Sequence, residues 1–249
     1  MKFIGIIPAR FNSSRFPGKP LAMISGKPMI QHVFENASKA DTLTELIVAT
    51  DDDRIFDAVI GFGGKAIMTS QSHPSGTDRC NEVLYLLAAK SEHFDVAINI
   101  QGDEPFLNPE QIELVVQSFK NKPETKITTL VKKISQTNEL FNHNVVKAVV
   151  DRDGKAIYFS RQPIPFMRDL QEDQWLKHHS YFKHIGIYGY RSKILNEICD
   201  LPKSGLEKAE NLEQLRWIEN AYEIRAAVTT IENKAVDSPE DLKKITGKI

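Results

Sequence analysis

Residues 3–21 read FIGIIPARFNSSRFPGKPL. The run Phe3–Ile7 is apolar and strand-like, and Pro8 ends it. A loop follows that carries Arg10, Arg15 and Lys19 and is stiffened by Pro17 and Pro20. Like charges held this close repel one another, so such a loop is either well solvated or arranged around an anion. Its position is informative, because open α/β sheets bind ligands outside the carboxyl ends of their strands.

The same alternation continues beyond this stretch. Leu46–Thr50, Ala66–Thr69 and Val96–Ile100 are further short apolar runs. Between them Ile30, Val33, Phe34 and Ala37 share one helical face, as do Cys80, Val83, Leu84 and Leu87. Asn108-Pro109, a cap followed by proline at the first helical position, precedes a third such face of Ile112, Val115, Val116 and Phe119. Alternating strands and helices predict an α/β fold with a mainly parallel, Rossmann-like sheet flanked by helices. The second half reads differently. VVKAVVDRDGKAIYFSR predicts a hairpin turning at Asp151–Gly154, and YFKHIGIYGYR another strand with His184, Gly186, Tyr188 and Tyr190 on one face. A helix over about 207–222, a strand EIRAAVTTI and a short last helix complete the expectation. No linker divides the halves. The reading is one domain over 1–249, with a nucleotide-binding part to about 130, an added antiparallel region to about 200, and a closing helix, strand and helix.

Of the 249 residues 41% are hydrophobic and 26% charged, with a formal net charge of −1, so nothing marks a general binder of nucleic acid or of anionic membranes. The cationic loop is therefore a local feature. Cys80 and Cys199 lack disulfide-framework or zinc spacing and read as core thiols. The opening apolar run is too short for a secretory signal or a membrane span, which makes the cytoplasm the expected location.

Several residues are suited to chemistry, each with a plainer alternative. The guanidinium forks of Arg10 and Arg15, with Lys19, suit a phosphate chain. Asp103, just past a strand in INIQGDEPFL, is placed to hold Mg²⁺, although Gly-Asp before proline is also turn chemistry. Asp237 in KAVDSPEDL could be its second carboxylate, while Ser238-Pro239-Glu240-Asp241 is a helix start. SGTDR, Ser75–Arg79, opens a helix and could cap it or bind an anion. His184 and Tyr188 fit a structural strand face, Glu213 and Gln214 a helix surface, and Arg161 either role.

Taken together, IPARFNSSRFPGKPL, GKPMIQHV, VATDD, SGTDR, NIQGDEP, YFSR, HIGIYGYR, LEQLR and VDSPEDL resemble, in order and spacing over essentially the whole chain, the 3-deoxy-manno-octulosonate cytidylyltransferase family. These are nucleotidyltransferases that activate the acidic sugar Kdo with CTP for lipopolysaccharide synthesis. The resemblance implies that Arg10, Arg15 and Lys19 grip the CTP phosphates as the catalytic cations. It implies that Asp103 and Asp237 hold Mg²⁺, above a capping role for Asp237. It puts Arg79 and Gln101 near cytidine and sugar, and Arg161, His184, Tyr188, Glu213 and Gln214 on the sugar side, with Arg161 toward the Kdo carboxylate. It also implies a homodimer formed through the antiparallel region. Through Glu104 and Gly189, where the branch that uses the 8-amino analogue differs, the resemblance implies Kdo itself as the sugar. The rivals are an acylneuraminate cytidylyltransferase and a non-catalytic nucleotide-binding protein.

Overall fold

A computed structural model describes residues 1–12, 16–232, 236 and 238–246, the last three by backbone alone. In chain order the elements are β1 (Phe3–Ala9), a small hairpin of β2 (Met23–Ile24) and β3 (Lys27–Pro28), α1 (Met29–Ala37), β4 (Glu45–Thr50), α2 (Asp53–Gly61), β5 (Ala66–Met68), α3 (Gly76–Ala88), β6 (Val96–Asn99) and α4 (Pro109–Asn121). Then follow β7 (Ile127–Lys133), α5 (Thr137–Leu140), β8 (Lys147–Val150), β9 (Ala156–Ser160), α6 (Trp175–His178), β10 (Phe182–Arg191), α7 (Ser192–Cys199), α8 (Gly205–Glu210), α9 (Gln214–Glu219), β11 (Ile224–Thr229) and α10 (Pro239–Thr246).

The sheet runs β11-β7-β10-β6-β1-β4-β5, and β8 and β9 extend it from the start of β10. Strand β1 pairs in parallel with β4 and β6, β4 with β5, and β7 with β11. The antiparallel structure expected in the second half joins this same sheet, with β10 between β6 and β7. Both faces of the sheet are covered. Ile4 and Ile6 pack with Cys80, Val83, Leu195 and Trp217 on one side, and Phe3 and Ile7 with Ile30, Val33, Ile55 and Phe119 on the other. That is why β1 reads as an almost unbroken apolar run. The chain leaves β1 for β4 and β5 on one side, then crosses through α3 to β6 on the other. A topological switch point therefore lies at the carboxyl ends of β1 and β6.

The local signals explain how the helices start. Asn108 accepts a hydrogen bond from the Glu110 N–H with Pro109 at the first helical position. Ser75 accepts from the N–H groups of Thr77 and Asp78. Ser238 and Asp241 cap α10 reciprocally, side chain to main chain.

Two expectations need correction. The single helix over about 207–222 is two helices, α8 and α9, because Asn211 at φ 53° ends α8 in the left-handed region. The break is held from outside: Arg161 donates to the carbonyls of Glu210 and Asn211, and Arg216 on α9 forms a two-pronged ion pair with Glu207 on α8 at 2.9 Å. The thiols also differ from one another: Cys80 is buried, whereas Cys199 is only half-buried.

Candidate active site

At the switch point a cavity of about 240 Å³ is lined by Pro8, Ala9 and Arg10 from the end of β1, Lys19 and Pro20 from the basic loop, Gln101–Asp103 after β6, and His73–Gly76 with Arg79 at the start of α3. Of the predicted residues, Arg10, Lys19, Arg79, Gln101 and Asp103 thus share one wall system. Arg15 and Asp237 lie outside the described residues.

The geometry of the loop follows from Gly18 at φ 69°, where an added Cβ would also meet the Phe11 ring at 3.0 Å. The Gly18 N–H donates to the Phe11 carbonyl at 2.9 Å and closes the loop on itself. Lys19 then opens a single 3-10 turn and reaches Asp103, Nζ to Oδ2 at 2.7 Å. Phe16 of the loop packs with Ile24, Met29, Val236 and Leu242, so the loop and the C-terminal segment share a small core. The Val236 N–H also donates to the Asp103 carbonyl at 3.0 Å. The residue before Asp237 is therefore bonded to the main chain of Asp103. Gly102 passes so near β1 that a Cβ would lie 2.7 Å from the Pro8 carbonyl oxygen.

Arg79 is buried and already engaged, donating to Asp51 Oδ2 at 2.8 Å and Thr69 Oγ1 at 2.5 Å. Gln101 donates to the Gly186 carbonyl at 2.8 Å. That carbonyl is presented by an irregularity in β10: Ile185 pairs with Leu130 and Tyr188 with Thr129, leaving Gly186 and Ile187 as two extra residues. An even insertion preserves the facing of the strand, so His184 and Tyr188 stay on one side, ring centroids 5.1 Å apart. Thr129 Oγ1 donates to the Ile187 carbonyl at 2.8 Å, which makes it the acceptor toward His184 Nε2 at 3.0 Å. His184 therefore carries its proton on Nε2 and keeps an Nδ1 lone pair. Loss of solvation pushes its pKa down to about 4.

A second cavity of about 180 Å³ is lined by Pro74, Ser75, Lys203, Glu207, Asn211, Glu213 and Arg216, and it shares Pro74 and Ser75 with the first. Glu213 accepts from the Thr77 hydroxyl at 2.6 Å and from Arg216 at 3.2 Å. Burial raises its carboxyl pKa against those two contacts. Gln214 is buried at the start of α9. Arg161 gives three N–H bonds to the carbonyls of His143, Glu210 and Asn211. The Tyr188 hydroxyl is buried with no hydrogen-bond partner among the described residues. The cavity wall also includes His73, which sequence reasoning passed over because its partner Glu82 lies nine residues on and across a helix start.

A cytidylyltransferase family model matches residues 4–230. A 3-deoxy-manno-octulosonate cytidylyltransferase of Parabacteroides distasonis is 50% identical over 98% of this chain and 96% of its own, and one of Phocaeicola vulgatus is 51% identical over the same shares. The chain belongs to the 3-deoxy-manno-octulosonate cytidylyltransferase family. A solved structure of CMP:2-keto-3-deoxy-manno-octonic acid synthetase complexed with CTP is 43% identical, covers 99% of this chain and 98% of that one, and superimposes with a TM-score of 0.91. As a family member, the chain is a nucleotidyltransferase with the α/β architecture expected above.

Proposed function

We propose that the chain transfers CMP from CTP to the anomeric hydroxyl of Kdo with release of pyrophosphate, and that the cavity at the switch point binds the CTP. The observation that carries this reading is the meeting of Arg10, Lys19 and Asp103 at one cavity, in a chain alike over its whole length to a CTP-bound synthetase. Arg10 and Lys19 bind the triphosphate. Catalysis is then positioning and charge stabilisation, since the nucleophile is the hydroxyl of the substrate itself. Arg15 joins the same group of cations.

Mg²⁺ is the proposed cofactor, and the donor chemistry fits it. Asp103 is a hard oxygen ligand, 30% exposed beside the cationic loop, and Mg²⁺ favours one or two carboxylates with phosphate oxygens and water. Asp103 and Asp237 would hold it. When bound it supplies charge neutralisation on the phosphates and polarisation of the α-phosphorus. On loading, Lys19 would exchange Asp103 for a phosphate oxygen. The second cavity, with Glu213, and the neighbouring His184 and Tyr188 form the sugar side: Glu213 and the His184 Nδ1 accept from sugar hydroxyls, and Tyr188 donates. Gln214 and Arg161 complete that side, Arg161 chiefly by holding the α8–α9 junction.

We read the chain as a homodimer formed through its antiparallel region, acting in the cytoplasm in lipopolysaccharide synthesis; among the described residues no helix is long and apolar enough to cross a membrane. The test is pyrophosphate release from CTP and Mg²⁺ with Kdo, N-acetylneuraminate or 8-amino-Kdo. Release with Kdo is expected. Release only with another acid would move the substrate and keep the mechanism; release with none would overturn the reading.

A further inference from the structure

His73, in the loop between β5 and α3, forms a polar pair with Glu82 of α3 that none of the roles above uses. His73 Nε2 lies 2.5 Å from Glu82 Oε2, and the same oxygen accepts the Ser70 N–H at 2.8 Å. Glu82 stands on α3, so the helix tethers the loop that feeds it. Burial alone would raise the Glu82 carboxyl; the bonds from His73 and Ser70 outweigh it and hold the group below its usual range. A carboxylate can only accept, so Nε2 carries the ring proton. In the neutral ring Nδ1 is then an acceptor, and it has no partner among the described residues.

His73 alone of the pair lines the cavity, and its place on the wall bears on what it meets. Asp103 and Lys19 stand at the end of β6, to one side of β1. Arg79, which shares the α3 wall with His73, is tied to Asp51 at the end of β4, to the other side. Two strand spacings, about 10 Å, separate those ends, which is the reach from a triphosphate to its base. With the phosphates on the Lys19 side, the His73 wall falls to the base. Cytosine differs from uracil there by presenting an amine donor where uracil presents a carbonyl acceptor.

We propose that His73, oriented by Glu82, reads the nucleotide base, its Nδ1 accepting a hydrogen bond from the cytosine amine and rejecting uracil. This rests on the nucleotide-binding reading above. The test is equilibrium titration of CTP and of UTP, with Mg²⁺ at pH 8, into the wild-type protein, His73→Leu, His73→Asn and Glu82→Gln. Wild type should prefer CTP. His73→Leu should lower the CTP:UTP affinity ratio about 10-fold, the scale of one lost hydrogen bond with its partner left unpaired. His73→Asn, which keeps an acceptor oxygen, should restore part of the ratio, and Glu82→Gln should lower it less than His73→Leu. An unchanged ratio in folded His73→Leu overturns the proposal. If that variant does not fold, nitrogen NMR of the wild-type ring decides: CTP should shift Nδ1 and UTP should not, and no shift with CTP overturns it. A wild-type protein that binds CTP yet releases no pyrophosphate with Kdo would count against the proposed activity alone, because the binding ratio still judges His73.

Discussion

Asp103 meets Lys19 at 2.7 Å with the cavity open beside it, so this carboxylate is poised for chemistry more than for support. Asp103→Asn should keep the melting temperature within about 2 °C and lower the pyrophosphate-release rate by at least about 10²-fold, since removing one charge-stabilising group typically costs that much. Near-wild-type turnover at ordinary Mg²⁺ would remove Asp103 from the metal site. His184 gives a pH prediction. Its folded pKa, about 4, lies below the ordinary 6.5, so between those values the unfolded chain binds the extra proton. The stability it contributes is complete above the ordinary value and is lost as the pH falls toward 4, by up to about 3 kcal/mol. Urea unfolding at pH 7 and at pH 4.5 should therefore show a smaller drop for His184→Gln than for wild type. Equal drops would show that this imidazole is not desolvated.

At the scale of elements, the α8–α9 break and the β10 irregularity shape the side proposed for the sugar. Three Arg161 N–H groups sit on main-chain carbonyls, two at the break (Glu210 and Asn211) and one on His143. Arg161→Lys cannot reproduce that spread, and should lower unfolding stability by about 1–3 kcal/mol, because carbonyls lose their donors. If thermal melts were unchanged and only the KM for Kdo rose, Arg161 would be a ligand contact without a structural role. In β10 a Cβ added at Gly189 would stand 2.7 Å from both Phe119 and Val115, so overpacking is expected. Gly189→Ala should cost about 1–3 kcal/mol in urea unfolding. The glycine is thus explained by the packing of α4 on the sheet, and this account needs no contact with the sugar.

For the molecule as a whole, the cavity draws on β1, β6, the α3 start and the basic loop, elements that meet only in the folded chain. Nucleotide binding should therefore stabilise everything at once. CTP with Mg²⁺ at about 100 times its Kd should add about 2.7 kcal/mol, or about 5–10 °C in melting temperature for a chain of this length. Arg10→Ala should abolish most of that shift while leaving the melting temperature without nucleotide unchanged, because Arg10 is exposed on the cavity wall. A full shift in this variant would take Arg10 out of the phosphate site.

The amino-acid sequence by itself determined the alternation of β1–β6 with their helices, the Asn108-Pro109 and Ser75 caps, the Asp151–Gly154 hairpin and the motifs that mark the family. These are local signals: apolar periodicity and side chains that bond their own main chain within a few residues. The structure alone decided what depends on distant partners. The helix pattern over 207–222 breaks where Asn211 turns left-handed at φ 53°, and Arg161, some fifty residues away, holds that break by donating to the carbonyls of Glu210 and Asn211. The strand pattern of β10 hides two extra residues that Thr129 and Gln101 hold in place. The pairing of His73 with Glu82 appears only once α3 has folded and turned one carboxylate back onto its own entry loop. Periodicity records which face of an element is buried; the partners that bend, break or orient it come from elsewhere in the chain and meet it only through packing.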